Sequence, residues 1–136
     1  MAEPLPGDVW RYDYLWRWQH DGGETEGRKR RPTAMVAVIK ASDGTFLFIL
    51  PITSSPPMAG RMALEVPQIE RRRAGLDDIP LWVMIDEYNF DRLESSFYFD
   101  PKARVGRFGS TFHRKVLEAF TSAARSHLVK RVPRTE

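Results

Sequence analysis

The sequence predicts a small, mainly β protein, namely a partly open barrel of about five to seven short strands with a C-terminal amphipathic helix. Short apolar segments separated by turn residues recur from about residue 7 to about residue 108. Clear helical spacing begins only after that, over about residues 110–128. A chain of 136 residues with 42% hydrophobic residues fits one domain, so we assign residues 1–136 to it and expect a frayed tail over residues 129–136.

The first element is an aromatic segment, with rings at positions 10, 12, 14, 16 and 18. Alternation with a period of two predicts one strand that carries all five rings on the same face. We expect Trp10 and Tyr12 to lie in the core, and Trp16 and Trp18 to be free for stacking or dimer contact. The polar, glycine-containing segment from Gln19 to Arg31 predicts a long, mobile loop.

A hairpin follows this loop. Two apolar segments, Ala34–Ile39 and Thr45–Leu50, flank Asp43-Gly44, and an Asp-Gly pair between apolar segments is a strong hairpin signal. Pairing across this turn places the residue before the first strand beside the residue after the second. We therefore expect Arg31 to lie near Thr53.

The later elements are shorter. We predict a fourth strand over Met62–Val66, one or two helical turns over Pro67–Gly75 and a strand over Leu81–Glu87. A further short strand is expected at Phe97–Phe99. Ser110 is expected to cap the last helix, whose apolar stripe comprises Phe112, Val116, Leu117, Phe120, Ala124 and Leu128. The tail from Lys130 to Glu136 is expected to fray.

Composition limits the chemistry. The chain has no cysteine, which excludes disulfides, thiolate catalysis and iron–sulfur clusters. His20, His113 and His127 are scattered and no carboxylate cluster has metal-ligand spacing, so we expect neither a metal nor a cofactor. No apolar stretch approaches the length of a membrane span and the N-terminal residues do not resemble a signal peptide, which indicates a cytoplasmic protein.

Arginine dominates the basic residues and favours an anionic partner. The segment Arg28-Lys29-Arg30-Arg31 is typical of a solvated loop, but beside an aromatic strand it also fits binding of single-stranded RNA. An Arg and a hydroxyl near a carboxylate are a plausible phosphate-handling site without a metal. The Arg would stabilise charge on the phosphorus centre, and the hydroxyl would hold a non-bridging oxygen.

Several motifs together resemble the MazF/PemK/Kid toxins over about residues 7–128. They are Gly7-Asp8-Val9-Trp10, Glu26-Gly27, Arg31-Pro32, Pro51-Ile52-Thr53-Ser54, Asp86-Glu87 and the amphipathic C-terminal helix. The resemblance implies an SH3-like barrel that forms a homodimer. It also implies a bacterial, growth-inhibiting endoribonuclease of a type II toxin–antitoxin system, neutralised by an acidic antitoxin protein.

The resemblance further implies that Arg31 and Thr53 carry cleavage of single-stranded RNA, with Ser54 beside them. A Glu before the Arg-Pro pair takes part in some members, which by spacing is Glu26, with Glu24 as the alternative. In this chemistry the 2′-hydroxyl of the RNA attacks the phosphorus, leaving a 2′,3′-cyclic phosphate and a 5′-hydroxyl. Glu26 or His20 is the better candidate for the base, because arginine is rarely deprotonated. The other substrate contacts expected are Arg30, Trp16, Trp18, His20 and Asp86.

The sequence departs from the family near Asp86. Met84 stands where some members have a second catalytic Arg, Glu87 replaces the usual Gln, and Asn89 replaces a frequent Arg or Lys. An alternative is therefore a degenerate barrel that only binds RNA or a protein. Binding to DNA gyrase, as in the related CcdB-type toxins, is disfavoured because no tryptophan follows Trp82.

Overall fold

The fold is an open, mostly antiparallel sheet with helices packed against it, seen in a computed structural model that describes residues 3–134. The mainly β class is confirmed, although the described residues form eight strands rather than five to seven. The strands are β1 (Asp8–Tyr12), β2 (Arg31–Ala41), β3 (Gly44–Thr53), β4 (Ala63–Glu65), β5 (Trp82–Met84), β6 (Glu87–Arg92), β7 (Arg104–Arg107) and β8 (Lys130–Pro133). The helices are α1 (Arg17–Asp21), α2 (Gln68–Arg73) and α3 (Ser110–Arg125), and a 3₁₀ turn covers Leu93–Ser95.

The long strand β3 organises the sheet. The main path runs β4–β5–β3–β2–β1–β7, and β6 also pairs with β3. The start of β3 pairs with β6, whereas its end pairs with β5 at Ile52 and Thr53. Strand β8 then pairs with β6 in parallel. The sheet does not close on itself.

The β2–β3 hairpin forms where the Asp-Gly signal predicts it. Ala41 faces Gly44 across the turn at Ser42 and Asp43. The register shifts by one residue between Met35 and Ala37, so that Thr33 faces Pro51 at the other end of the hairpin. Continued by two residues, this pairing carries Arg31 to the level of Thr53.

Two apolar clusters cover the two faces of the sheet. One lies between the sheet and α3, where Phe112, Val116 and Phe120 pack against strand residues such as Leu50 and Val83. The other contains Trp10, Tyr12, Tyr14, Met35, Leu47 and Ile49. The predicted burial of Trp10 and Tyr12 is confirmed.

The prediction of a strand from Trp10 to Trp18 is wrong beyond Tyr12. Strand β1 ends there, and Trp18 lies in α1. The reason is Asn89 on β6, whose side chain accepts a hydrogen bond from the Leu15 N–H at 2.8 Å and donates one to the Leu15 carbonyl at 2.7 Å. These two bonds divert the backbone from the sheet, so the ring periodicity does not continue as one strand.

Other corrections concern the second half of the chain. The single strand expected over Leu81–Glu87 is divided into β5 and β6, and Phe97–Phe99 forms no strand. The tail expected to fray contains β8, and its last two residues lie outside the described part. Strand β7 was not predicted. The predicted strand over Met62–Val66 and the helical turns over Pro67–Gly75 are confirmed as β4 and α2.

The last helix also differs in detail from its prediction. It ends at Arg125 rather than near residue 128, and Ser110 makes no side-chain capping bond because the N-cap residue is Gly109. Buried Glu70 of α2 accepts the Gly109 N–H at 2.7 Å and thereby anchors this helix start. Leu117, Ala124 and Leu128 of the predicted stripe are exposed, and Ala123 is buried instead. None of the helices within residues 3–134 is long and apolar enough to cross a membrane.

Candidate functional site

A cavity of about 360 Å³ opens where β2 begins and β3 ends; we call it the Arg31 cavity. It brings together Arg31 and Thr53, as the hairpin register predicts. Residues that could contact an anion or a base dominate its wall, namely Lys29, Arg31, Arg61, Thr53, Ser54, Ser55, Trp16 and Trp18. No Asp, Glu or His lines this cavity in the described part of the chain.

Arg31 is a half-buried cation without a polar partner. Its guanidinium lies 5.0 Å from the centre of the Trp16 ring. No residue within 3–134 accepts a hydrogen bond from its side chain, and its Nε is buried. Burial lowers the pKa of Arg31 from its ordinary value. An anionic oxygen in the cavity would supply the missing acceptor and offset the desolvation of the cation.

Most other buried guanidinium groups differ from Arg31 in this respect. Arg71 and Arg134 also carry buried nitrogens without partners, but Arg71 pairs with Asp78 and Arg134 donates to the side chain of Asn89. Arg31 has no such compensation from the described residues, so it is the cation most clearly oriented toward a ligand.

Thr53 offers a hydroxyl proton on the opposite strand. Its Oγ1 accepts a hydrogen bond from the Ser55 N–H at 3.1 Å. The backbone donor occupies a lone pair of the oxygen and leaves the O–H available to donate. Thr53 can therefore hold an oxygen of an anion that Arg31 attracts.

Arg61 is the functional candidate that sequence reasoning missed. Its guanidinium binds both carboxylate oxygens of Asp86 at 2.8 Å and donates to Glu87 at 3.0 Å. Asp86 also accepts the Met62 N–H at 3.1 Å, so this carboxylate fixes the segment before β4. Asp86, predicted to contact substrate, lies outside the Arg31 cavity and orients a cation at its wall.

Asp86 and Glu87 have pKa values moved in opposite directions. Burial alone raises the pKa of Asp86, but hydrogen bonds from Arg61 and from the Met62 N–H outweigh burial and hold it below its ordinary value. For Glu87, burial dominates and raises the pKa, although the Arg17 N–H and the Tyr14 hydroxyl donate to it. The contribution of these two carboxyl groups to the stability of the folded protein therefore depends on pH.

Replacing Arg61 with Gln is expected to lower the free energy of unfolding at neutral pH by about 1–2 kcal/mol, allowing for solvent around the partly exposed guanidinium. Arg61 favours the ionised form of both carboxyl groups. Its contribution through Asp86 is present above the ordinary pKa of 3.8 and is lost as the pH falls through the lower folded value.

For Glu87 the folded protein retains a proton above 4.5 that the unfolded chain releases, so wild-type stability falls with rising pH in that window. Without Arg61 the pKa of Glu87 in the folded protein rises further, so this pH window extends to higher pH. The difference between wild type and variant should therefore grow from acidic to neutral pH in urea unfolding. A difference that is constant with pH would contradict this account.

The structure separates three predicted site residues from Arg31 and Thr53. Glu26 and Arg30 line another cavity of about 380 Å³, beside Asp13 and Asp100. There Arg30 pairs with Asp100 at 3.1 Å and with Asp13 at 3.5 Å. His20 is exposed on α1 and lies 3.7 Å from Asp21. Glu24, the alternative to Glu26, pairs with Arg28 at 3.0 Å.

Gly27 fixes the segment that carries Lys29 into the cavity. A Cβ atom there would lie 2.6 Å from the carbonyl oxygens of Asp13 and Tyr14. Replacing Gly27 with Ala is therefore expected to displace this segment and lower the free energy of unfolding by about 1–3 kcal/mol, measured by urea unfolding. Gly22→Ala is the matched control because a Cβ there makes ordinary contacts. Equal effects of the two substitutions would show that the close approach is unimportant.

Comparisons with known proteins identify no relative of this chain. Neither a protein-family model, nor a curated protein, nor a solved structure matches this chain. Within residues 3–134, no group of three or more His, Asp or Glu side chains is arranged to hold a metal ion. The resemblance to the MazF/PemK/Kid toxins therefore remains a prediction from sequence motifs, and the functional argument depends on the geometry of the Arg31 cavity.

Proposed function

We propose that this protein is a metal-independent endoribonuclease that cleaves single-stranded RNA at the Arg31 cavity. The observation that carries the proposal is Arg31 itself, a half-buried guanidinium with no acceptor among the described residues, across a cavity from the Thr53 hydroxyl. A phosphodiester supplies the missing negative charge, and the neighbouring Trp16 and Trp18 suit the bases on either side of it.

In the proposed reaction the RNA supplies the nucleophile. The 2′-oxygen forms a bond to phosphorus, the bond from phosphorus to the 5′-oxygen breaks, and the products are a 2′,3′-cyclic phosphate and a 5′-hydroxyl. Water takes the proton of the 2′-hydroxyl and returns one to the 5′-oxygen. Arg31 and Arg61 stabilise the added negative charge on the phosphoryl oxygens, and Thr53 holds one of these oxygens.

This assignment changes the expected role of two residues. Glu26 and His20 are the candidates for a general base, but neither lines the cavity. The second catalytic arginine that the resemblance implies has no counterpart in this sequence, because Met84 stands at its position. Arg61, which belongs to another segment, brings a guanidinium to Asp86. We propose that Arg61 takes over the electrostatic part of that role.

The test is cleavage of a labelled single-stranded RNA of mixed sequence by the purified protein in excess chelator. Cleavage that matches the rate in magnesium buffer supports the proposal. Cleavage that requires a divalent ion, or no cleavage at any sequence in the mixture, rejects it. Arg114→Ala, which removes an exposed Arg on α3, serves as a control for general loss of positive charge.

A second function, RNA binding without cleavage, is favoured because none of the described residues that line the cavity carries a carboxylate or an imidazole. Binding that weakens steeply with salt, without any products, would identify this function.

For the cellular role, we propose the toxin of a bacterial toxin–antitoxin pair, built as a homodimer on an SH3-like barrel. The ordered motifs support this proposal, and exposed Lys29 together with Arg31 would attract an acidic antitoxin. Growth arrest on expression, relieved by an acidic partner protein that blocks RNA binding, is the expected result.

A further inference from the structure

A smaller cavity adjoins the Arg31 cavity; we call it the Gln19 slot. Its volume is about 260 Å³, below the range of about 300–1,000 Å³ that is typical of drug-sized ligands. It shares Trp16, Trp18, Lys29 and Arg31 with the Arg31 cavity and adds Tyr14, Gln19 and Arg28. The slot therefore suits a single ring system attached to a group held by Arg31.

Trp18 provides an accessible stacking surface at this slot. Its side chain is 58% exposed, and the Arg28 guanidinium lies 4.8 Å from the centre of its ring. Exposed tryptophan beside arginine and lysine is a frequent arrangement for binding unpaired bases, because every base has a face that can stack. Stacking provides affinity but distinguishes poorly between bases.

Gln19 provides a fixed hydrogen-bond donor in the slot. The residue is only 3% exposed, and its Oε1 accepts the Trp16 N–H at 2.9 Å. A backbone N–H can only donate, so the amide oxygen must face Trp16 and Nε2 must face the other way. No residue within 3–134 accepts a hydrogen bond from this Nε2, and Gln19 lines the slot, so its amide donor is available to a ligand there.

We propose that the Gln19 slot binds one base next to the phosphate held by Arg31, and that Gln19 Nε2 selects a base with a carbonyl oxygen at C4 of a pyrimidine or C6 of a purine. This inference rests on the proposed RNA-binding function. Uracil and guanine present a carbonyl acceptor where cytosine and adenine present an amino group. An amide donor held in place therefore favours uracil and guanine. With cytosine or adenine, this donor would face the amino group of the base, which is also a donor.

The experiment measures affinity separately from cleavage. Trinucleotides of 2′-O-methyl RNA cannot supply the attacking hydroxyl, and their binding can be followed by tryptophan fluorescence. Each position is varied among the four bases in turn. Wild type is expected to bind uracil and guanine roughly three- to tenfold more tightly than cytosine and adenine at one position, as one hydrogen bond predicts.

Gln19→Glu is the decisive variant because it keeps an acceptor for the Trp16 N–H and replaces the amide donor with an acceptor oxygen. Its preference at that position should reverse toward cytosine and adenine. Gln68→Glu, an exposed residue of α2, is the matched control and should keep the wild-type preference. Equal binding of all four bases by wild type, or an unchanged preference in Gln19→Glu, would overturn the inference.

The outcomes separate this inference from the proposed function. Base-selective binding that depends on Gln19, without cleavage of unmodified RNA, supports the slot and rejects the endoribonuclease. Cleavage of RNA without a base preference that depends on Gln19 supports the endoribonuclease and rejects the slot. Absence of binding to every trinucleotide rejects the slot as well.

Discussion

Replacing Arg31 with Ala is expected to lower the rate of RNA cleavage at saturating RNA by roughly 10²–10³-fold, the loss typical of removing one donor that stabilises a transition state. Arg31 is a half-buried cation with no acceptor among the described residues, and it lines the cavity, so a phosphoryl group bound there gains from it. The measurement is single-turnover cleavage of a labelled RNA in excess chelator.

Binding provides a second readout for the same variant. Loss of one contact with a single-stranded phosphate should reduce the slope of log affinity against log salt by about 0.7. Arg31→Lys keeps the charge but not the planar donor group, and it should recover more of the binding than of the rate. A cleavage rate for Arg31→Ala equal to that of wild type would contradict the proposed role of the cavity.

Replacing Asn89 with Ala is expected to lower the free energy of unfolding by about 3 kcal/mol or more, the largest effect on stability expected here. The substitution removes both hydrogen bonds to the backbone of Leu15, which is 1% exposed, and leaves that N–H and carbonyl without their partner. Urea unfolding at neutral pH measures the change.

Asn89→Asp separates the two hydrogen bonds, because a carboxylate accepts from the Leu15 N–H but cannot donate to the Leu15 carbonyl. It should destabilise the protein as well. Gln68→Ala, at an exposed amide on α2, should change the free energy of unfolding by less than about 0.5 kcal/mol. A loss below about 1 kcal/mol for Asn89→Ala would show that Leu15 finds other partners.

Asn89 also explains why the prediction of one strand from Trp10 to Trp18 is wrong. A period of two from position 10 to position 18 is a local signal, whereas the hydrogen bonds that end β1 join residues 74 apart in sequence. Their effect is to place Trp16 and Trp18 at the cavity rather than on the sheet. Asn89 therefore contributes to the cavity through the backbone that carries the two tryptophans.

The β2–β3 hairpin could be predicted because its turn chemistry is local. The turn at Ser42 and Asp43 pairs Ala41 with Gly44, and a one-residue shift in register between Met35 and Ala37 then brings Arg31 to the level of Thr53. Strand β8 has no comparable signal, because it consists of Lys130–Pro133 and pairs with β6 in parallel. Its stability as a strand comes from that distant partner.

Two further features of the site depend on contacts distant in sequence. Arg61 and Asp86 are 25 residues apart, so no motif indicates that they pair. Glu26 precedes the Arg-Pro pair at a suggestive spacing, yet Gly27 packs against the carbonyls of Asp13 and Tyr14 and the neighbouring Glu26 lines the other cavity. Sequence spacing therefore predicts that Arg31 lies near Thr53, but it does not predict that Glu26 lies at the other cavity.

The most direct test of the central claim uses one labelled RNA and a matched substrate with a single 2′-deoxynucleotide at the cleaved position, both incubated with wild-type protein in excess chelator. We predict that the RNA is cleaved to a 2′,3′-cyclic phosphate and a 5′-hydroxyl, and that the substituted strand binds with similar affinity but stays intact. Cleavage of the substituted strand at the same bond would contradict attack by the 2′-hydroxyl of the RNA, and failure to cleave either strand would leave RNA binding alone as the function of the Arg31 cavity.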